Sequence, residues 1–126
     1  MPRIPITGDV PSSHLPFTPA VRAGELVFVS GQASVDDTGA YVPGTFAEEM
    51  ALSFSNVERI LAAAGGTMDD VVQVKAYLGD TSYRDEYNRE YRKYFTEPLP
   101  ARTSLSGGLG TLKFEVDVIA HIPVAT

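Results

Sequence analysis

The clearest alternation of apolar and polar positions lies near the C-terminus, in the stretch FEVDVIAH. In an extended chain Phe114, Val116 and Val118 point to one side, and Glu115 and Asp117 point to the other. The pattern predicts a strand with one face for a hydrophobic core. Its opposite face carries two carboxylates.

Two other stretches are apolar and β-branched enough to form strands. LVFVS, residues 26–30, follows a candidate strand at 17–21 and a turn at 22–24, which predicts a β-hairpin. VVQVKAYL, residues 71–78, predicts another strand, whereas residues 35–42 predict a loop or a weak hairpin. Because LVFVS is apolar at nearly every position, neither of its faces suits water, and we expect a homo-oligomer that buries the second face of the sheet.

Helical periodicity is clearest in TFAEEMALSFSNVERILAAAGG. Thr45 and Glu48 form a capping-box pattern at its start, and Gly65 or Gly66 provides the stop. Between these signals, apolar residues recur at helical spacing and define one face for a sheet to cover: Phe46, Met50, Phe54, Val57, Leu61 and Ala64.

Aromatic residues mark a second predicted helix, from Thr81 to Thr96, which Pro98 and Pro100 prevent from continuing. They recur at spacings of three and four, at Tyr83, Tyr87, Tyr91, Tyr94 and Phe95. We interpret this stripe as core packing rather than a base-stacking surface, because the chain is acidic. The element order β-β-α-β-α-β-β predicts an α+β fold, in which both helices cover one face of a mixed or antiparallel β-sheet.

Composition limits the classes of function that fit the chain. Its 126 residues predict one domain spanning 1–126, and four prolines within residues 1–16 predict an extended N-terminal lead-in. The net charge of −6, with scattered basic residues, argues against a nucleic-acid partner. Neither a bilayer-spanning apolar run nor a secretory h-region is found, so we expect a soluble, cytoplasmic protein. The lack of cysteine excludes disulfides, thiolate metal sites and a cysteine nucleophile.

Arg102 is the single charged side chain in the stretch PLPARTSLSGGLG, which otherwise consists of apolar and small residues. A guanidinium group can form two parallel hydrogen bonds to a carboxylate, which makes Arg102 a candidate carboxylate receptor. Spacing alone nevertheless favours an incidental surface arginine, and it favours a solvated strand face for Glu115 and Asp117. The two histidines, His14 and His121, are far apart and show no metal-ligand pattern.

Five stretches together resemble the YjgF/YER057c family, also called the RidA family, in order and spacing: AVRAGELVFVSGQ, NVERILAAAGGTMDDVVQVKAYLGD, YNREYRKYF, PARTSL and FEVDVIAH. The resemblance covers nearly everything after residue 16. It implies a chorismate-mutase-like fold, a homotrimer and ligand clefts between subunits. The best-known members of the family hydrolyse reactive enamines and imines, such as 2-aminoacrylate, to 2-oxo acids and ammonia. We expect that this reaction requires no metal or organic cofactor.

The resemblance also implies roles for particular residues. Arg102 would hold the substrate carboxylate, and Glu115 would position or deprotonate the attacking water. Ser30 and Gly31 would line the cleft, and Asn88 matches the asparagine of a helix motif of the family.

Two positions in the expected cleft depart from the family pattern. Phe17 replaces a usual tyrosine, and Ser104 replaces a cysteine found in many members. Serine can still hydrogen-bond a ligand, whereas phenylalanine can neither donate nor accept. The departures leave two alternatives open: a divergent deaminase with another substrate, and a non-catalytic binding module for 2-oxo acids or related carboxylates. Ribonuclease activity, described for some members, is disfavoured by the acidic charge.

Overall fold

The computed structural model describes residues 2–124. Six strands form one sheet: β1 (Ile4–Pro5), β2 (Ala20–Ala23), β3 (Leu26–Ala33), β4 (Val71–Leu78), β5 (Ala101–Ser106) and β6 (Phe114–His121). Their spatial order is β1-β2-β3-β6-β4-β5. Only the β4–β5 pair is parallel among these strands, so the sheet is mixed, as the sequence allowed.

The first helix, α1, spans Phe46–Ala63 and begins as predicted. The Glu48 backbone N–H donates to Thr45 Oγ1 at 3.2 Å, and the Thr45 N–H donates to Glu48 Oε1 at 2.8 Å. These two bonds complete the capping box, which satisfies backbone donors that a helix start leaves unpaired. Gly65, with a φ of 90°, ends the helix in the left-handed conformation that glycine adopts without strain.

The second helix, α2, spans only Arg84–Tyr91, so the prediction of a helix from Thr81 to Thr96 was too long at both ends. A 3₁₀ turn at Thr81–Tyr83 precedes α2. After Tyr91 the chain tightens into further turns that direct Phe95 inward, where its ring lies 5.7 Å from that of Phe54 in an edge-to-face arrangement. The packing of Phe95 in the core therefore outweighs the helical propensity of the residues that follow Tyr91.

Both helices cover the same face of the sheet, as predicted. The Phe114 ring lies 5.8 Å from Phe46 and 5.6 Å from Phe54, both on α1, and 5.9 Å from Tyr87 on α2. The aromatic stripe contributes to this core, because Tyr87, Tyr91 and Phe95 are buried. We call the opposite side the open face; strand alternation places on it Leu26, Phe28, Tyr77, Glu115, Asp117 and Ile119.

The N-terminal region differs from its prediction in two respects. β2 covers residues 20–23 rather than 17–21, because Pro16 and Pro19 have no N–H to donate to a neighbouring strand. The lead-in also contributes the short edge strand β1, in which Ile4 lies opposite Arg22. The weak hairpin expected at 35–42 is present as an isolated bridge between Val35 and Tyr41. Within residues 2–124, neither helix is long and apolar enough to cross a membrane.

Candidate functional site

A cleft of about 620 Å³ lies between the lead-in and the open face. It brings together four of the predicted site residues, Phe17, Ser30, Gly31 and Glu115, and adds Asp117. We call it the carboxylate cleft. The lead-in also contributes to the wall of this cleft, through Pro11, Ser12, Ser13 and Leu15, so it takes part in the site as well as in the sheet.

Gly31 lets the Glu115 carboxylate lie against the backbone of β3. A Cβ atom at position 31 would stand 2.8 Å from Glu115 Oε2, closer than van der Waals contact allows. The register between β3 and β6 shifts at this point, between Val29 and Gln32. Gly31 therefore lines the cleft, as predicted, and its lack of a side chain leaves room for the Glu115 carboxylate.

The environment of Glu115 raises the pKa of its carboxyl above the ordinary value. Burial is the larger cause, because it disfavours the charged form, and the negative charge of Asp117 adds to it. A carboxylate with a raised pKa accepts a proton more readily at neutral pH, which suits a general base.

Asp117 is the second acidic group of the cleft, and it is held by Tyr77. The Tyr77 hydroxyl donates a hydrogen bond of 3.1 Å to Asp117 Oδ2. Burial raises the pKa of Tyr77, and the charge of Asp117 raises it further, so the phenol keeps the proton that it donates. Sequence patterning had placed Asp117 beside Glu115 but had not distinguished it from a solvated strand residue; the alternation of β6 was the available signal.

Phe17 and Ser30 line the same cleft in different ways. Phe17 is 46% exposed and presents only carbon to the cleft. The Ser30 hydroxyl donates to the carbonyl of Thr18 at 2.6 Å, which leaves its oxygen lone pairs to accept from a ligand.

Arg102 and Asn88 line a second pocket, of about 430 Å³, at the β5 edge of the sheet. The Arg102 guanidinium carbon lies 4.9 Å from the ring centroids of both Tyr87 and Tyr91, within the range of cation–π attraction. The Ser104 hydroxyl donates to the Tyr87 oxygen at 3.3 Å. We call this site the arginine pocket. Its cation is oriented by two tyrosines that the sequence analysis had assigned to core packing alone.

A single protomer does not bring Arg102 and Glu115 together. Arg102 lies opposite Val74 of β4 and shares its helix-covered face, whereas Glu115 lies on the open face of β6. β4 separates β5 from β6, which puts the two strands about 10 Å apart at the usual strand spacing. The predicted residues therefore fall into two groups on opposite faces of the sheet.

The described residues contain no cluster of three or more His, Cys, Asp or Glu side chains that could hold a metal ion. His14 and His121 are both exposed, and His121 lies 3.5 Å from Glu25 in the part of the chain that the structure describes.

Comparison with known proteins identifies relatives of the whole fold. The family model described as endoribonuclease L-PSP matches residues 7–122. The mitochondrial protein mmf2 of Schizosaccharomyces pombe is 35% identical over 125 residues, covering 95% of this chain and 98% of mmf2. The RutC family protein YjgH of Escherichia coli is 34% identical over 110 residues, covering 85% of this chain and 83% of YjgH. The crystal structure of RidA from an Antarctic Psychrobacter superposes with a TM-score of 0.84 at 30% identity, covering 93% of this chain and 98% of RidA.

Proposed function

The chain belongs to the YjgF/YER057c (RidA) family, and on that premise we propose that it hydrolyses small enamines and imines of the 2-aminoacrylate type to 2-oxo acids and ammonia. The observation that carries the proposal is the pair of complementary half-sites. The carboxylate cleft offers a base with a raised pKa, and the arginine pocket offers an oriented cation for a substrate carboxylate.

We propose further that the active form is a homotrimer whose clefts lie between subunits. The open face supports this, because Leu26 and Phe28 are each 38% exposed there, and burial of such side chains against another copy is favourable. Docking of a second copy on this face would bring the arginine pocket of one protomer to the carboxylate cleft of the next. Within one chain, Arg102 and Glu115 lie on opposite faces of the sheet, so they cannot contact the same small substrate.

The proposed reaction begins with the imine, which is formed by tautomerisation of an enamine and takes up a proton at nitrogen from solvent. Water attacks the imine carbon, the C=N π electrons move to nitrogen, and Glu115 takes a proton from the water. Glu115 then returns this proton to the nitrogen, and it takes the proton of the hydroxyl as the C–N bond breaks and the hydroxyl becomes the carbonyl of the 2-oxo acid. The released ammonia takes that proton from Glu115 and leaves as ammonium. One iminium ion and one water thus give one 2-oxo acid and one ammonium ion, and general-base help of this kind contributes about 10²- to 10⁴-fold in rate.

Arg102→Lys tests the carboxylate receptor, because lysine keeps the positive charge but loses the planar fork. We expect kcat/KM for a 2-imino acid, generated in situ by an amino-acid oxidase, to fall by about 10- to 100-fold, the equivalent of a charged hydrogen bond. Arg89→Lys, on the exposed surface of α2, is the matched control and should retain full activity. Unchanged kcat/KM in Arg102→Lys would rule out the receptor role.

A non-catalytic binding module is the second candidate, and Phe17 is the observation that favours it. The phenylalanine places no polar atom where the family usually has a phenol, which removes a possible hydrogen bond to a ligand or water. This candidate predicts that 2-oxobutyrate raises the unfolding temperature while 2-aminoacrylate decays no faster with protein than without it. Accelerated decay would reject it.

Ribonuclease activity, which the name of the matching family model suggests, is a weaker proposal for this chain. The net charge of −6 repels a phosphate backbone, and the cleft adds two carboxylates rather than cations. Salt-dependent binding of single-stranded RNA by the protein would support ribonuclease activity.

A cytoplasmic location is likewise proposed, and it needs a direct test because the relative mmf2 is named as mitochondrial. Fractionation of cells that produce the protein, followed by immunodetection, would distinguish the two compartments.

A further inference from the structure

The proposed reaction leaves one chemical requirement without a residue. Its reactive form is an iminium cation, and its leaving group departs as an amine that becomes ammonium. Arg102 is assigned to the carboxylate and Glu115 to the water, so the positively charged nitrogen still lacks a partner. In a partly buried cleft, an unpaired cation costs free energy, and a carboxylate at hydrogen-bond distance would offset that cost.

Asp117 is placed to meet this requirement. It follows Glu115 by two positions on the same face of β6, which separates their Cα atoms by about 7 Å along the strand. Both residues line the carboxylate cleft. The Tyr77 hydroxyl fixes Asp117 Oδ2, whereas Oδ1 accepts no hydrogen bond from residues 2–124.

The charges around this pair are few. β4 places Lys75 opposite Asp117 and Tyr77 opposite Glu115, and Lys75 is exposed without an ion pair to Asp117 among the described residues. On the other side, β3 brings only uncharged groups to the cleft, including Ser30 and Gln32. Among the described residues, no cationic side chain of the protomer therefore forms an ion pair with Asp117.

We propose that Asp117, held by Tyr77, binds the positively charged nitrogen of the substrate. The iminium N–H donates to the Asp117 carboxylate, which orients the imine carbon toward the water on Glu115. As water attacks, the nitrogen becomes a neutral amine. Once Glu115 has protonated it, Asp117 again faces a cation, and it stabilises the protonated amine before the C–N bond breaks. Asp117 gains and loses no proton in this sequence.

The same charge has a second measurable effect. Burial is the main reason that the pKa of Glu115 is raised, and Asp117 contributes the remainder. If the Asp117 charge is removed, the pKa of Glu115 falls, and the rise of kcat/KM with pH shifts to lower pH. This shift reports the charge of Asp117 beside Glu115, and the binding measurement below tests the contact with the substrate nitrogen itself.

The test compares Asp117→Asn and Tyr77→Phe with wild type, and uses Asp85→Asn, an exposed residue of α2, as the charge-matched control. Asparagine preserves the shape and can still accept from Tyr77. We expect Asp117→Asn to lower kcat/KM for the imine by about 10- to 100-fold, and Tyr77→Phe to lower it less. The Asp85→Asn control should match wild type.

A binding measurement separates this inference from the proposed function on which it rests. Calorimetry would compare 2-aminobutyrate, which carries an ammonium group, with 2-oxobutyrate, which has the same carbon skeleton without it. We expect Asp117→Asn to weaken binding of 2-aminobutyrate and to leave 2-oxobutyrate unchanged or tighter. Equal effects on both ligands, or none on either, would overturn the role of Asp117.

The two hypotheses fail in different ways. If wild type does not accelerate imine hydrolysis, the proposed function is wrong, while selective loss of 2-aminobutyrate binding would still support Asp117 as a nitrogen site. If wild type is active and Asp117→Asn keeps kcat/KM within twofold with an unshifted pH profile, the inference is wrong and the proposed function stands.

Discussion

Gly31 and Glu115 illustrate how much of this site depends on single residues. The carboxylate lies where any larger residue at position 31 would place its Cβ, so the position of the proposed base depends on the absence of a side chain. Arg102 is oriented in a different way, by two tyrosine rings. Both contacts join one of these motifs to a residue outside it, so neither could be predicted from the motifs SGQ and PARTSL alone.

Gly31→Ala tests the close approach. The added methyl group would push away the flexible end of Glu115 rather than strain the backbone, so we expect a small change in the free energy of unfolding. Displacement of the base by about 1 Å should nevertheless lower kcat by about 100-fold. Urea unfolding and steady-state kinetics on the same preparation would check both expectations, and wild-type kcat would contradict the assigned position of Glu115.

At the scale of elements, α1 was well predicted because its signals are local, whereas α2 and β2 were not. The capping box, the apolar face and the glycine stop of α1 all lie within about 20 residues of one another. The end of α2 depends instead on the packing of Phe95 against Phe54, a contact across the core. β2 begins later than predicted because two prolines withhold donors from the sheet.

α1 also carries a buried acid that anchors it to the loops around the carboxylate cleft. Glu49 is fully buried, and its carboxylate accepts hydrogen bonds from the Tyr41 hydroxyl at 2.6 Å and the Lys113 N–H at 3.0 Å. The Lys113 ammonium lies 3.2 Å from the same carboxylate. Burial by itself raises the pKa of Glu49, but the hydrogen bonds from Tyr41, Lys113 and Gly44 outweigh it and hold the pKa below the ordinary value.

Glu49→Gln should therefore destabilise the protein by about 1–3 kcal/mol, because the half-buried Lys113 ammonium and the Tyr41 hydroxyl then face a neutral amide instead of a carboxylate. Glu48→Gln, one residue earlier and exposed, keeps the capping hydrogen bond and should cost less than about 1 kcal/mol. Since the folded-state pKa of Glu49 is depressed, its contribution is present above the unfolded pKa and is lost as pH falls through the folded value. Urea unfolding of wild type, Glu49→Gln and Glu48→Gln at pH 7 and at pH 3 would check both expectations. An equal decrease in the free energy of unfolding for the two variants at pH 7 would contradict the role of Glu49.

At the scale of the whole molecule, sequence reasoning identified the α+β class, the mixed sheet with both helices on one face, and the family. It could not predict that the candidate site divides into two groups, because that division follows from strand order. β4 lies between β5 and β6, and the register that places Tyr77 opposite Glu115 joins residues 38 positions apart. The Asp117–Tyr77 hydrogen bond is a product of the same register.

The central claim is that one copy of the chain supplies Arg102 and another supplies Glu115. Complementation tests it most directly: Arg102→Lys and Glu115→Gln, each impaired alone, are co-expressed with different affinity tags, and the doubly tagged oligomers are assayed for imine hydrolysis. In a doubly tagged trimer, which contains both variants, one of the three clefts pairs an intact Arg102 with an intact Glu115, so we expect about a third of wild-type activity. Activity no greater than the average of the two separate variants would contradict a cleft shared between subunits.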